Sequence, residues 1–326
     1  MRFALMIEPQ QGLTYQEQLA VARHAESAGF EAMFRSDHYE SFPGASHNPT
    51  TDAWAVLAGL ARETDRIGLG VLVSPVGFRL PGNLAKMATT VDEMSGGRIE
   101  LGLGAGWHEA EHQRHGFAFP PIGERADHLE EQLEILHGLW GEADGWSFHG
   151  IHYTVRDARL RPRAMDAAGR PHSAAGHPRP RILVGGSGTP RSFRIAARWA
   201  DEFNLTSATP EKLAQALGQL DDACRRAGRD PATLARSAMI GVLVGQDRDE
   251  LRRRERALLT ALGAEDGDDG WFAERRGRWI HGTPDAARAA VERYAAAGVE
   301  RIMLQDFVPR DLEMIDLLGW ELIRRA

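Results

Sequence analysis

Cysteine is nearly absent from this chain. A single residue, Cys224, occurs among 326 residues, so no disulfide can form within the chain. It lies in the helical run 213–227, and we interpret it as a small buried hydrophobic residue rather than a nucleophile. The fold must therefore be held together by packing.

Long apolar runs and an excess of positive charge are also missing. The first apolar run, Phe3–Ile7, is far too short to cross a membrane and lacks the blocks of a signal peptide. Lys and Arg total 39 against 46 Asp and Glu, and the formal charge of −7 repels phosphate backbones. We therefore expect a cytoplasmic protein that binds neither membrane nor nucleic acid, and we interpret Arg252–Arg254 as one face of an exposed helix.

Several common catalytic and metal-binding motifs do not occur in the sequence. There is no GxxxxGK[ST] loop, GxSxG elbow, HExxH helix or paired CxxC. The acidic run Asp266–Gly270 is only vaguely similar to a calcium loop, because the terminal glutamate of that loop is missing. We expect no metal site.

Short apolar runs alternate with helical segments along the whole chain, which is typical of repeated βαβ units and a parallel sheet. The predicted strands are 2–7, 31–35, 67–73, 99–104, 181–184, 202–205, 237–244 and 301–304. The predicted helices are 15–28, 52–64, 83–95, 124–139, 190–199, 210–227, 248–262, 284–297 and 311–325. Eight such units predict an α/β fold, a single (β/α)₈ TIM barrel spanning residues 1–326, with the active site at the carboxyl ends of the strands. A doubly wound open sheet is the alternative.

Two stretches interrupt the repeat. Residues 141–180 are rich in Gly, Pro, His and Arg and contain a β-like piece at Trp146–Val155, and residues 263–280 carry Trp271 and Trp279. Insertions of this kind often cover the substrate of a barrel, but a surface loop without a role is an equally good interpretation.

Polar and restricted residues follow the second and third predicted strands. Asp37 and His38 come directly after the second strand, so in a barrel they would lie at the mouth of the pocket, with the acid able to orient the imidazole. Capping of the next segment is the alternative role for Asp37. Val73-Ser74-Pro75 forms a restricted turn after the third strand, with Phe78 close behind.

Small residues follow the fourth and fifth predicted strands. The stretch Gly102–Gly106 permits close approach of a ligand, and Trp107 and His108 add a stacking face and a polar group. The N–H groups of Gly186, Ser187 and Gly188, with the hydroxyls of Ser187 and Thr189, precede a helix and form a candidate phosphate cradle. A plain tight turn is the alternative.

Taken together, several stretches resemble the luciferase-like flavin and deazaflavin oxidoreductases. They are Glu31–His38, Thr89–Trp107, Pro121–Arg125, Ile182–Gly186 and Ala196–Asn204. The resemblance covers nearly the whole chain and is closest to the branch that uses the deazaflavin coenzyme F420. It does not identify a substrate.

The resemblance implies roles for particular residues. Asp37 and His38 would be catalytic and lie beside the cofactor ring, the backbone of 72–74 would form a non-proline cis bulge behind the ring, and 185–188 would hold the phosphate. Members that oxidise sugar phosphates have a tryptophan and a glutamate where this chain has Phe42 and Trp107, so glucose 6-phosphate is not the expected substrate. A homodimer is also implied.

The resulting hypothesis is hydride transfer between bound F420 and a small organic substrate such as an activated alkene, imine or carbonyl, with His38 handling the proton. An FMN-dependent monooxygenase is the alternative cofactor reading, and a catalytically silent cofactor-binding protein is a third. The predicted cofactor contacts are Val73, Ser74, Gly106, Trp107, Gly185, Gly186, Ser187 and Gly188. The predicted substrate-pocket residues are Phe42, Trp54, Phe78 and His108.

Overall fold

The computed structural model describes residues 1–42, 47–141, 144–161, 179–264 and 270–325. Its strands are β1 (Arg2–Ile7), β2 (Ala32–Arg35), β3 (Gly68–Pro75), β4 (Ile99–Gly104), β5 (Trp146–His149), β6 (Thr154–Ala158), β7 (Arg181–Gly186), β8 (Glu202–Leu205), β9 (Ala235–Val244), β10 (Ile280–Gly282) and β11 (Arg301–Asp306). Its helices are α1 (Tyr15–Ala28), α2 (Ala53–Glu63), α3 (Pro81–Ser95), α4 (Glu109–Arg114), α5 (Ile122–Trp140), α6 (Pro190–Trp199), α7 (Pro210–Arg226), α8 (Arg248–Ala261), α9 (Gly270–Arg276), α10 (Pro284–Ala296) and α11 (Leu312–Leu318), the last continued by a π-helical turn, Gly319–Arg324.

Eight parallel strands close into a barrel. Their order is β1, β2, β3, β4, β7, β8, β9 and β11, and the ring is complete because β8 pairs with β9 and β11 pairs with β1. The predicted TIM barrel is therefore confirmed, and the open-sheet alternative is wrong. The short strand β10 adds in parallel to the end of β9 and was not predicted.

The amino-terminal end of the barrel is filled by a buried ion-pair network. Arg301 of β11 is 1% exposed, and its guanidinium bonds both carboxylate oxygens of Glu100 at 2.7 and 2.9 Å. Glu202 lies 3.4 Å from the same guanidinium, whose carbon is 5.1 Å from the ring centre of Phe34. Each of these charges has a partner, and together the side chains fill this end of the barrel interior.

The two predicted insertions have defined structure in the part that is described. The β-like piece at 146–155 is an antiparallel hairpin of β5 and β6, joined by a turn at 150–153. Residues 162–178 of the first insertion and 265–269 of the second, which include most of the acidic run near Asp266, lie outside the described residues. The rest of the second insertion forms α9 and leads into β10.

In the described part of the chain, no helix has both the length and the apolar character that a membrane span requires.

Candidate active site

A cavity of about 810 Å³ opens at the carboxyl ends of the barrel strands. Every barrel strand or the residues directly after it contribute to its wall. Representative contributors in chain order are Glu8, His38, Val73, Gly104, Gly185, Asn204, Met239 and Gln305. The wall is largely apolar with a few converging polar groups, which is typical of a site for a cofactor or small molecule.

Most, but not all, of the predicted site residues lie on this wall. Those that line the cavity are His38, Phe42, Val73, Gly106, Trp107, His108, Gly185, Gly186 and Ser187. Those that do not are Asp37, Trp54, Ser74, Phe78 and Gly188. The placement of Trp54 and Phe78 in the pocket is therefore wrong. Trp54, in the first turn of α2, is 2% exposed and belongs to the core. Phe78 packs against Tyr39 and Phe117.

The Asp37 carboxylate points away from the cavity into a buried polar layer. It accepts hydrogen bonds from the Ser74 hydroxyl at 2.8 Å and from both terminal nitrogens of Arg79. Arg79 also bonds Asp52 at 2.7 Å, and the Trp54 indole N–H donates to Ser74 at 3.1 Å. Burial alone would lower the pKa of Arg79, but the neighbouring carboxylates raise it, so the charged pair is maintained. The expectation that Asp37 orients His38 is wrong.

The acid that orients His38 is Glu111, which was not predicted from the sequence. Its Oε2 lies 3.0 Å from His38 Nδ1, and its Oε1 accepts the N–H groups of Tyr39 at 2.5 Å and Glu40 at 3.1 Å. Burial by itself would raise the pKa of Glu111, but the bonds from His38 and these two N–H groups outweigh it, and the pKa is lowered. Glu111 is therefore a carboxylate that accepts the Nδ1 proton of His38, which leaves Nε2 as the nitrogen available to the cavity.

Aromatic side chains enclose the His38 ring at the mouth of the cavity. The ring centre of Phe42 lies 4.4 Å from that of His38 at an interplanar angle of 85°, and the ring of Trp107 lies 5.8 Å away at 77°. Trp107 is nevertheless 65% exposed, whereas the His38 side chain is 13% exposed. These contacts limit rotation of the imidazole and leave Trp107 free to cover a ligand.

The predicted cis peptide in the turn after the third strand is confirmed: the bond between Leu72 and Val73 is cis. The pairing of β3 with β4 shifts register at this point, between Val71 and Ser74. The Val73 side chain projects between two glycines, since a Cβ on Gly104 or Gly185 would lie 2.7 Å from a Val73 methyl carbon. These two glycines thus make room for Val73, and close approach of a ligand is not their only use.

The candidate phosphate cradle lies where β7 leads into α6. Thr189 caps α6 by accepting the Ser192 N–H at 3.2 Å, and its hydroxyl also bonds the Ser192 hydroxyl, so it is less available to a ligand than expected. The N–H groups of Ser187 and Gly188 donate to no acceptor within the described ranges of the chain. Unpaired N–H groups before a helix fit a bound phosphate. Arg191, which was not predicted, also lines the cavity here.

Two further polar groups on the wall were missed. Glu8 follows β1 and accepts amide hydrogen bonds from Gln10 at 2.8 Å and Gln305 at 2.5 Å. His112 is 1% exposed and bonds the His108 carbonyl through Nδ1 at 2.8 Å, while its Nε2 has no partner among the described residues. The position of Glu8 directly after a strand was a usable signal. An apolar ring-sized space with a buried unpaired nitrogen and free N–H donors at one end fits a flat cofactor that carries a phosphate.

The chain belongs to the luciferase-like monooxygenase family, whose model matches residues 1–301. This match confirms the predicted family and its class, the oxidoreductases. An F420-dependent glucose-6-phosphate dehydrogenase of Microbacterium testaceum is 31% identical over 210 residues, which are 63% of this chain and 57% of that protein. This chain thus matches less than two thirds of that dehydrogenase. The pyrimidine monooxygenase RutA of Stutzerimonas stutzeri is 27% identical over 279 residues, 82% of this chain and 71% of that protein.

The fold has counterparts among solved structures. An F420-dependent secondary alcohol dehydrogenase in complex with an F420–acetone adduct superposes with a TM-score of 0.81 and covers 98% of each chain at 20% identity. At this identity the similarity establishes the shared fold.

Proposed function

We propose that this chain is an F420-dependent oxidoreductase that transfers hydride between the bound deazaflavin and a small organic substrate. The observation that carries the proposal is the His38 ring, fixed through Nδ1 by Glu111 and presenting Nε2 to the cavity. Hydride transfer to or from a carbonyl, imine or alkene carbon requires a matching proton, and a group placed like His38 supplies it. The similarity to an F420-dependent dehydrogenase supports this assignment.

The chain's own residues would hold the cofactor at two places. The backbone at Val73 and Gly106 would contact the ring. The unpaired N–H of Ser187, which lines the cavity, would bind the phosphate together with the unpaired N–H of Gly188, the next residue in the chain. When bound, the cofactor supplies or accepts the hydride.

His38 would move the proton at its Nε2. In carbonyl reduction it donates this proton to the substrate oxygen, and in the reverse direction it accepts the hydroxyl proton. Glu111 holds the other ring nitrogen in its protonated form and stabilises the imidazolium that forms. Phe42 and Trp107 would shield this exchange from bulk water.

The apolar side chains of the cavity wall indicate a small and largely apolar substrate. Met6, Leu72, Met239, Trp271 and Phe307 all line the cavity. We therefore place activated alkenes, imines and small ketones ahead of sugar phosphates, consistent with Phe42 and Trp107 in place of the residues of the sugar-phosphate branch.

An FMN-dependent monooxygenase is the second candidate. It is favoured by the similarity to RutA, which extends over 82% of this chain, against 63% for the F420-dependent dehydrogenase. Both candidates use the same cradle and ring site, so the cofactor itself distinguishes them.

Titration of the apoprotein separately with F420 and with FMN, followed by quenching of cofactor fluorescence, tests the proposal. We expect saturable binding of F420 at least about tenfold tighter than that of FMN, which corresponds to about 1.4 kcal/mol. Tighter binding of FMN with no quenching of F420 would replace the proposal by the monooxygenase.

We also propose a homodimer, to be tested by light scattering of the purified protein.

A further inference from the structure

Three side chains with metal-binding groups meet on the outer side of α5. Glu124 and His128 lie one turn apart on this helix, and His152 lies in the turn between β5 and β6. One donor atom from each can be chosen so that all lie within 4.8 Å of one another, and Glu124 Oε1 is 3.7 Å from His128 Nε2. The two imidazole rings stack with centres 3.9 Å apart at 28°, so one ring would turn about its side-chain bonds to direct its in-plane lone pair at a shared ion.

The cluster is separate from the cavity. Ile122, Ala126 and Leu129 of α5 line the cavity. Because successive helical residues are rotated by about 100°, Glu124 and His128 project from the opposite side of the helix. Their placement is therefore not explained by the active site.

A hydrogen bond sets the direction of the His128 ring. Its Nδ1 lies 3.0 Å from the hydroxyl oxygen of Tyr153. When Nδ1 donates its proton to this oxygen, Nε2 keeps its lone pair and faces Glu124. A histidine that binds a metal commonly has this arrangement, in which the second ring nitrogen donates to a fixed partner.

The third group is held in place by a carboxylate that is not part of the cluster. Glu131 of α5 accepts the backbone N–H groups of Ile151 at 2.7 Å, His152 at 3.1 Å and Tyr153 at 3.0 Å. Gly150 permits this contact, since a Cβ there would lie 2.3 Å from Glu131. The turn that carries His152 is thus fixed against the helix that carries His128 before any ligand binds.

We propose that Glu124, His128 and His152 form a binding site for a divalent transition metal such as Zn²⁺, which fastens the β5–β6 hairpin to α5. Two imidazole nitrogens and one carboxylate oxygen, completed by water, are a donor set that Zn²⁺ accepts in tetrahedral geometry. A two-stranded hairpin has little stability of its own, so a metal cross-link to α5 would add to the hydrogen bonds with Glu131 that already hold its turn. The sequence suggested no such site because His128 and His152 are far apart in the chain.

Tag-free protein, stripped with a chelator and titrated with ZnCl₂ by calorimetry, tests this site. The variants are His128→Gln and His152→Gln, and the matched control is His149→Gln, an exposed histidine on the same hairpin outside the cluster. We expect one Zn²⁺ per chain for the parent and the control. We expect more than about hundredfold weaker binding for each ligand variant, exceeding the loss typical for removing a hydrogen-bond partner of a ligand.

Two further measurements test the metal site without changing its ligands. Tyr153→Phe retains every proposed ligand and should weaken binding by about 10–100-fold. Cobalt(II) should give the visible absorption of a tetrahedral site in the parent and the control. Absence of Zn²⁺ binding by the parent, or binding that the two ligand variants leave undiminished, would overturn the assignment even if the active-site proposal holds. If a ligand variant does not fold, the parent stoichiometry and Tyr153→Phe decide.

Discussion

Glu111 and His38 are joined by a hydrogen bond of 3.0 Å between Oε2 and Nδ1, although 73 positions separate them in the chain. The backbone N–H groups of the next two residues, Tyr39 and Glu40, donate to the other carboxylate oxygen of Glu111. One buried carboxylate therefore fixes both the imidazole and the backbone that carries it. This pairing makes Glu111 a positioning residue for the proposed proton transfer.

Glu111→Gln should move the proton of the neutral His38 ring from Nδ1 to Nε2. An amide NH₂ would donate to Nδ1 and force the neutral ring to carry its proton on Nε2, so His38 can no longer act as a base there. We expect turnover in the alcohol-oxidising direction to fall by roughly a hundredfold to ten-thousandfold. The pH–rate profile should lose its imidazole limb while F420 affinity is retained. If the variant has the same pH–rate profile as the parent, Glu111 has no part in the mechanism.

Asp37→Asn should behave differently, because Asp37 pairs with Arg79 and does not contact the His38 ring. Loss of one partner of a buried pair destabilises proteins by on the order of 3 kcal/mol, and Asp52 remains to compensate in part. We therefore expect lower stability in urea denaturation with turnover of the folded fraction within about threefold of the parent. A large loss of turnover at unchanged stability would show that the carboxylate acts in the chemistry.

Gly186→Val tests the cradle between β7 and α6. A Cβ added at this position would lie only 3.1 Å from the Ser192 Cβ, and the two methyl groups of valine would crowd the adjacent N–H donors. Cofactor affinity should weaken by about 1 to 3 kcal/mol, as the loss of charge-assisted hydrogen bonds would predict. Gly218→Ala, where a Cβ meets nothing within 4 Å, is the control for folding. Unchanged affinity in a folded Gly186→Val protein would reject the cradle.

Asp306 should make stability fall as pH rises. Burial raises its pKa to about 7, and its Oδ2 has no hydrogen-bond partner within the described residues. At a pH between the ordinary aspartate pKa and about 7, Asp306 is protonated in the folded protein and ionised in the unfolded chain. The folded state is therefore more stable at low pH, and this stabilisation is lost as the pH rises through about 7.

The variant that tests this linkage is Asp306→Asn, which keeps the Oδ1 acceptor for the Val308 N–H. Between pH 5 and pH 8 the parent should lose on the order of 3 kcal/mol more unfolding free energy than the variant. Urea denaturation at the two pH values gives this difference. Equal pH dependence in the two proteins would contradict a raised pKa.

The barrel strands were predictable because strands buried on both faces are continuous apolar runs, and each prediction lies within two residues of the observed strand. The choice of His38 and Val73 as cavity residues followed from their positions at strand ends. Their neighbours Asp37 and Ser74 were wrongly grouped with them. His38 faces the cavity, and adjacent side chains of an extended chain point in opposite directions, so Asp37 points away from it.

The partner of His38 was not predictable by the same reasoning. Glu111 lies on α4, a short helix outside the βα repeat, and the face that this helix turns inward is set by tertiary packing. Glu109 and Glu111 are equivalent in local sequence, but Glu111 is fully buried and Glu109 forms part of an exposed contact with Gln113. The contacts of α4 with residues 38–40, which follow β2, select Glu111.

Single-turnover kinetics of His38→Ala at saturating F420 test whether His38 transfers the proton that accompanies hydride transfer. A screen of unsaturated ketones and imines with reduced F420 first supplies a substrate. We predict a hundredfold to ten-thousandfold lower rate, about 3 to 5 kcal/mol of transition-state stabilisation, with cofactor affinity nearly unchanged. A His38→Ala protein that turns over within about threefold of the parent would contradict the claim and leave His38 as part of the cavity wall.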